Sequence, residues 1–342
     1  MTPRLSRLLL ALLCTPLALT PALAAEEPVL NLYSARHYQT DEALYQNFTK
    51  QTGIRINRIE GKEEELLERI RNEGARSPAD ILLTVDAARL AAAHDLGLFA
   101  PIQSKLLDSR IPAHLHTTDW YSFSLRARVI VYAKSRIKAD EIANYADLAK
   151  PALKGKLCSR SGAHPYNISL MASIIAHQGE AKAEAWAKGV VANFARSPKG
   201  GDTDQIKAVA AGECDVALSN SYYVARLMRS TKPEDRRISE RIGVIWPDQQ
   251  GFGAHINVSG AGILKTAPHK EAALKFLEYL ASDEAQRYFA DGNNEWPAVP
   301  GIKVSNPALE ALGSFKADTL EVGKLANDRI KAQMIFDRVG FR

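Results

Sequence analysis

Val129-Ile130-Val131-Tyr132-Ala133 is an unbroken apolar run, rich in β-branched residues, with no helical pattern directly before it. It reads as a strand buried on both faces, and its place between two α/β stretches marks it as a segment crossing from one lobe to another. Upstream, strands and helices alternate. Val29 to Tyr33 reads as a strand and Asp41 to Gln51 as a helix ended by Gly53, and Ile54 to Ile59 alternates as a second strand. Lys62 to Asn72 is a charged helix with Leu66, Leu67 and Ile70 on one stripe; Ala79 to Val85 follows as a strand and Ala87 to Leu96 as a helix. Downstream a second alternation runs through strand Leu157 to Arg160, helices Ile168 to Gln178, Ala181 to Ala195 and Asp204 to Ala211, and strand Cys214 to Ser219. Ile242 to Pro247 looks like a return strand. Residues 251 to 264 are rich in glycine and apolar side chains, Lys270 to Ser282 is an amphipathic helix, and Pro307 to Val339 is largely helical in pattern.

This order predicts an α/β protein of two lobes, each a mostly parallel sheet flanked by helices, joined by crossover strands instead of a flexible linker. The expected division is discontinuous, with residues 26–125 and 251–302 in the N-terminal lobe and 126–250 and 303–342 in the C-terminal lobe. Ligands of such proteins lie between the lobes, and hinge closure traps them.

The 342 residues are 46% hydrophobic and 24% charged, which excludes wholesale disorder. The formal charge of +5 falls to +3 without Arg4 and Arg7, too thin a surplus to point to nucleic acid. Those two arginines open residues 1–25, which read as a signal peptide: an apolar run from Leu8 to Thr20 leads to Ala22-Leu23-Ala24, a small-x-small cleavage pattern. Cys14 raises a lipoprotein alternative, but it falls inside the apolar run behind bulky Leu13. The mature chain is expected to be exported, and it keeps Cys158 and Cys214. In an oxidising compartment that pair points to a disulfide, the alternative being two buried thiols.

Catalytic signatures are weak. No GxSxG, HExxH or dinucleotide loop appears in context, eight histidines show no metal-ligand spacing, and Ser161 with His164 is the one nearby nucleophile and base. Phenols are more informative. Tyr222-Tyr223 follow the strand ending at Asn220-Ser221, Tyr166 follows the strand and loop after Leu157, and His37-Tyr38 follow the first strand. Each place is read as a loop at the carboxyl end of a strand, where open α/β sheets bind ligands. Singly, a Tyr-Tyr pair is a packing element and a lone histidine a surface residue. Their convergence on three strand ends favours a site.

The chain resembles the periplasmic ferric-iron-binding proteins of bacterial ABC importers, often called bacterial transferrins. The resemblance is carried by Tyr33-Ser34-Ala35-Arg36-His37-Tyr38, Ser77-Pro78-Ala79-Asp80-Ile81, Arg126 to Tyr132, Ala210 to Asp215 and Asn220-Ser221-Tyr222-Tyr223. It implies the type II periplasmic-binding-protein fold, no enzymatic activity, and Tyr222 and Tyr223 as phenolate ligands of Fe(III). The tyrosine-rich branch adds Tyr166 and Tyr38, and in some members His37. A second branch places a glutamate after the Pro-Ala-Asp strand; here Thr84-Val85-Asp86 stands there, with valine at the carboxylate's place. The resemblance further implies a synergistic anion such as carbonate, held by Ser161-Gly162, Asn220 or an arginine at the crossover strand, for which Arg126 is the candidate. Partners would be an inner-membrane permease and its ATPase, with the protein acting as a monomer and without nucleic acid.

Fe(III) is a hard cation that prefers anionic oxygen donors. A phenol has a pKa near ~10 in water, yet a trivalent ion favours the phenolate enough to remove its proton at neutral pH. The competing reading is a receptor for an oxyanion or a small organic solute.

Overall fold

The computed structural model describes residues 28–36 and 38–342. The signal-peptide reading, Cys14 and His37 lie outside the described residues.

Among the described residues nine strands form one sheet: β1 (Val29–Ser34), β2 (Arg55–Glu60), β3 (Ile81–Thr84), β4 (Trp120–Ala133), β5 (Leu157–Cys158), β6 (Val216–Asn220), β7 (Ile242–Ile245), β8 (Ile256–Ile263) and β9 (Trp296–Pro297). The lateral order is β2-β1-β3-β8-β4-β6-β5, with β7 and β9 also on β4. The run that opened the sequence reading is the second part of β4, which is longer than its apolar core suggests. Its first part, Trp120 to Ala127, pairs with β8, and its second, Arg128 to Ala133, pairs with β6 and β7. Fourteen residues at ~3.3 Å each make it about 45 Å long, enough to serve both halves.

The outer pairs β1/β2, β1/β3 and β5/β6 are parallel. The pairs made by β4, and that of β3 with β8, are antiparallel. Each half is therefore a parallel unit completed by antiparallel crossover strands, a mixed sheet where a mostly parallel one was expected. The reason lies in β8, which pairs antiparallel with both β3 and β4. Its Gly262 is required by packing: a Cβ there would come within 2.6 Å of the Phe99 ring. All eight residues of β8 are buried.

Helices cover the sheets as the apolar stripes require. Leu66 and Ile70 are the buried face of Glu63–Glu73, and Leu44, Tyr45 and Phe48 that of Asp41–Thr52. The final helix, Arg329–Val339, sends Ile335 and Phe336 into the second half's core with Leu170, Met171 and Trp186. Just before it, Val322 and Leu325 join the core that holds Leu90 of the first half.

Cys158 and Cys214 are bonded, their Cα atoms 5.8 Å apart and 56 positions apart in sequence. The link clamps β5 to the turn that enters β6. By chain entropy it stabilises the fold by about 4 kcal/mol. Urea unfolding of the Cys158→Ser/Cys214→Ser variant should show a loss of about 2–4 kcal/mol, and reductant should lower the midpoint of the parent protein alone; a double variant as stable as the parent would contradict this.

Candidate metal centre

The phenols stand in more regular positions than loops. Tyr166 lies in the first turn of the helix Pro165–Gln178, and Tyr222 and Tyr223 in the first turn of Ser221–Arg229. Pro165 at the first helical position brings a preset φ, and extended Asn220 passes β6 straight into its helix. Tyr38 sits one turn earlier, its carbonyl accepting the Asp41 N–H at 2.9 Å as the helix Asp41–Thr52 begins. All four phenols are thus at, or just before, helix N-termini, where backbone dipoles favour negative charge.

They come from separate elements and converge. Tyr166 Oη and Tyr222 Oη are 3.1 Å apart. The Tyr222 and Tyr223 rings stack with centroids 4.2 Å apart and 30° between planes. Tyr38 is within electrostatic range of Tyr166, Tyr222 and Tyr223. Guanidinium groups lie over the ring faces: Arg36 at 4.9 Å from Tyr38, Arg160 at 4.9 Å and Arg128 at 5.8 Å from Tyr166. Arg226 is 5.6 Å from the Tyr222 centroid and 5.5 Å from that of Tyr223.

Burial dominates the acid–base behaviour. It pushes the Tyr38, Tyr166 and Tyr222 phenols above their ordinary range; Glu295 adds to this at Tyr38, and neighbouring phenols add to it at Tyr166 and Tyr222. Arg126 opposes it at all three. Without added positive charge these phenols are neutral at pH 7.

Arg126 projects from β4 and is buried. Its Nη2 donates to the Val85 carbonyl and, at 2.6 Å, to that of Val258, while Nε and Nη1 have no hydrogen-bond partner among the described residues. Val85 N–H in turn donates to Glu63 Oε1 at 2.9 Å. Burial, reinforced by Asp86, pushes the Glu63 carboxyl up to about 7. Asp86 itself caps the helix Ala87–Asp95 through Ala88 N–H and accepts from the Asn257 amide, so its oxygens are engaged. Glu295 is 1% exposed; Oε2 takes Arg36 Nη1 at 2.8 Å and Ser124 Oγ at 2.7 Å, and Oε1 has no partner. Arg36 also grips Asp41 with Nε and Nη2 at 2.8 and 3.0 Å.

The other residues assigned to an anion have acceptor oxygens engaged within the protein. Asn220 Oδ1 accepts from Arg128 Nη1 at 3.1 Å, and that guanidinium is paired with Asp202 at 2.6 Å. Ser161 Oγ accepts from Ala163 N–H at 3.2 Å. A Cβ on Gly162 would lie 2.2 Å from the Phe341 carbonyl oxygen, so this glycine admits the C-terminus. Arg126 is the member of that group with unpaired donors toward the phenols. Ser161 and His164 form no nucleophile–base pair: His164 Nδ1 accepts from Tyr166 N–H at 3.2 Å, and burial beside Arg160 lowers its pKa to about 4.

Sequence reasoning missed Arg36, Arg160, Arg226 and Glu295. Arg36 stands two residues before Tyr38 in a quoted motif and could have been found. Glu295 lies 259 positions from the arginine that holds it and gave no local signal.

A two-lobed mixed α/β fold around a buried polar cluster defines a binding protein of the clamshell type. Residues 43–316 match the family described as "Bacterial extracellular solute-binding protein", and the chain belongs to that family. Among curated relatives, "Iron uptake protein A1" of a Synechocystis species is 47% identical over 329 residues, spanning 96% of this chain and 90% of the relative. A solved structure of Trichodesmium FutA (IdiA), described as in complex with iron and citrate ligands, is 51% identical with a TM-score of 0.89, over 92% of this chain and 100% of that one. A ferric binding protein from Campylobacter jejuni is 42% identical with a TM-score of 0.84, again over 92% and 100%.

Since Arg126 opposes the raised pKa of Tyr38, Tyr166 and Tyr222, Arg126→Gln should move their ionisation to still higher pH. Ultraviolet titration of the metal-free protein near the phenolate band checks this; an unchanged or lower midpoint would refute the assigned electrostatics.

Proposed function

We propose that this chain captures ferric iron between its two halves and delivers it to an inner-membrane ABC permease powered by an ATPase. Tyr38 comes from the first half, and Tyr166, Tyr222 and Tyr223 from the second. His37, adjacent to Tyr38 in sequence, is the candidate for a further donor. The reading places the protein in the periplasm as an exported monomer that binds and releases without catalysing a reaction. The lobe division of the sequence reading, residues 26–125 with 251–302 against 126–250 with 303–342, belongs to this proposal.

The carrying observation is the convergence of four phenols from separate elements, two of them with oxygens 3.1 Å apart. The relatives named above for iron support the same reading. Four phenolates around Fe(III) leave a charge of −1, which the buried Arg126 guanidinium offsets. Its two unpaired donors also suit an anion such as carbonate beside the metal.

Each phenol enters neutral and leaves its proton when the ion binds. Uptake at pH 7 should release about three to four protons per ion, read by pH-stat titration with ferric citrate. Affinity should fall as pH falls, because protons compete for the phenolate oxygens. Bound protein should carry a visible phenolate-to-iron charge-transfer band, and Tyr222→Phe or Tyr223→Phe should bleach it and weaken binding by at least about 100-fold. A receptor for an oxyanion or organic solute would stay colourless. Full affinity in either phenylalanine variant removes that residue from the ligand set.

A further inference from the structure

A second cavity, of about 320 Å³, lies against the chain that returns from β7 to β8, and none of the four phenols lines it. Its walls include Tyr145, Trp186 and Phe252, with Asp248, Asp318 and His177 between them. We propose that this cavity is a binding site for a small organic cation, an ammonium group carried on an apolar body.

Its aromatic walls are fixed in place. Trp186 Nε1–H donates to the Tyr145 carbonyl at 2.8 Å, and Tyr145 Oη accepts from His255 N–H at 3.0 Å. Phe252 stands at the mouth, 47% exposed, stacked on His177 with centroids 3.9 Å apart and 17° between planes. Gly253 beside it has φ +98°, and a Cβ there would meet the Ala317 backbone at 2.7 Å, so the turn carrying the ring is locked against the strap near Asp318.

The charge in the cavity is acidic and incompletely paired. Asp318 is 4% exposed; one oxygen takes Ser173 Oγ at 3.1 Å and His177 Nε2 at 2.8 Å, the other Leu320 N–H at 2.9 Å. Asp248 holds a left-handed backbone at φ 57°, uncommon outside glycine, and its Oδ2 accepts from Tyr145 N–H at 3.2 Å. Among the described residues neither acid has an ion pair with a lysine or arginine. Lys182, the one such cation lining the cavity, is exposed. Burial, with Asp147 and Asp318 nearby, pushes the Asp248 carboxyl above its usual range, so the site resists its own negative charge.

Three ligand classes then separate. An anion would meet two carboxylates. A neutral apolar molecule would cover Asp248 without compensating it. A cation is attracted by both acids and by the faces of the aromatic rings, while its apolar body fills the space between them.

The test is calorimetric titration of the full iron-free protein with three probes of one shape: phenylethylammonium, phenylethanol and phenylacetate. Saturable binding of the cation with Kd below about 1 mM is expected, at least about tenfold weaker for the alcohol and undetectable for the acid. Asp248→Asn and Phe252→Ala should each weaken cation binding by about tenfold or more, with thermal midpoints confirming that the variants fold. If Asp248→Asn does not fold, exposed Phe252→Ala carries the test alone. No cation binding up to about 10 mM, equal or tighter binding of the alcohol or acid, or undiminished binding by a folded variant overturns the proposal. The outcome is independent of the iron reading, which rests on other residues.

Discussion

A phenol removed from water holds its proton more tightly, and Tyr38, Tyr166 and Tyr222 are packed where that penalty accumulates. Each charge formed on one ring makes the next harder to form. A ligand has to supply enough positive field to overcome burial and mutual repulsion together. On the proposed reading a trivalent ion does this far better than a divalent one, so selectivity would come from the phenols' reluctance to ionise. The helix N-termini and the guanidiniums over the rings moderate the penalty without removing it, so in this pocket Tyr38, Tyr166 and Tyr222 keep their protons until an ion of high charge arrives.

That pocket needs a rigid wall, and the first half builds it from buried ions. Arg36 joins Asp41 to Glu295 and draws in Ser124 and Ser259, with almost no exposure to solvent. Burying such charges is costly, and apolar packing of the same volume would serve stability as well. What it provides is placement: Arg36 fixes the backbone two residues from Tyr38 and lays its own cation over that ring. The second half uses the same device, with Arg128 holding Asp202, Asn167 and Asn220 beneath Tyr166.

Much of this was legible. Alternating patterns located most of the elements to within a few residues, because each helix buries a stripe and each strand a run. The tyrosines at strand ends were visible as chemistry in a suggestive place. What could not be read was contextual. Residues 251 to 264 showed only a glycine-rich apolar composition and no strand bounds, because Gly260 and Gly262 answer the close approach of Tyr121, Leu90 and Phe99, which local patterning cannot foresee. Tyr166, Tyr222 and Tyr223 were read as loop residues although their helices begin directly after the polar cap residues His164 and Asn220, because the strand end and the helix start run together there. Nothing near Gly162 in sequence shows that it also makes room for Phe341, more than half the chain away. Glu295 was invisible for the same reason: nothing near it in sequence says that Arg36 waits for it.

The long strand β4 changes allegiance between Ala127, opposite β8, and Arg128, opposite β6. The two arginines flanking that junction leave the same face of the strand but are moored to different bodies. Arg126 is tied to Val85 and Val258, and Arg128 to Asp202 and Asn220. Any twist of the backbone at this junction carries one guanidinium relative to the other across the tyrosine cluster. On the proposed clamshell reading this junction is the pivot, so opening and closing would also retune the electrostatic potential at the phenol oxygens.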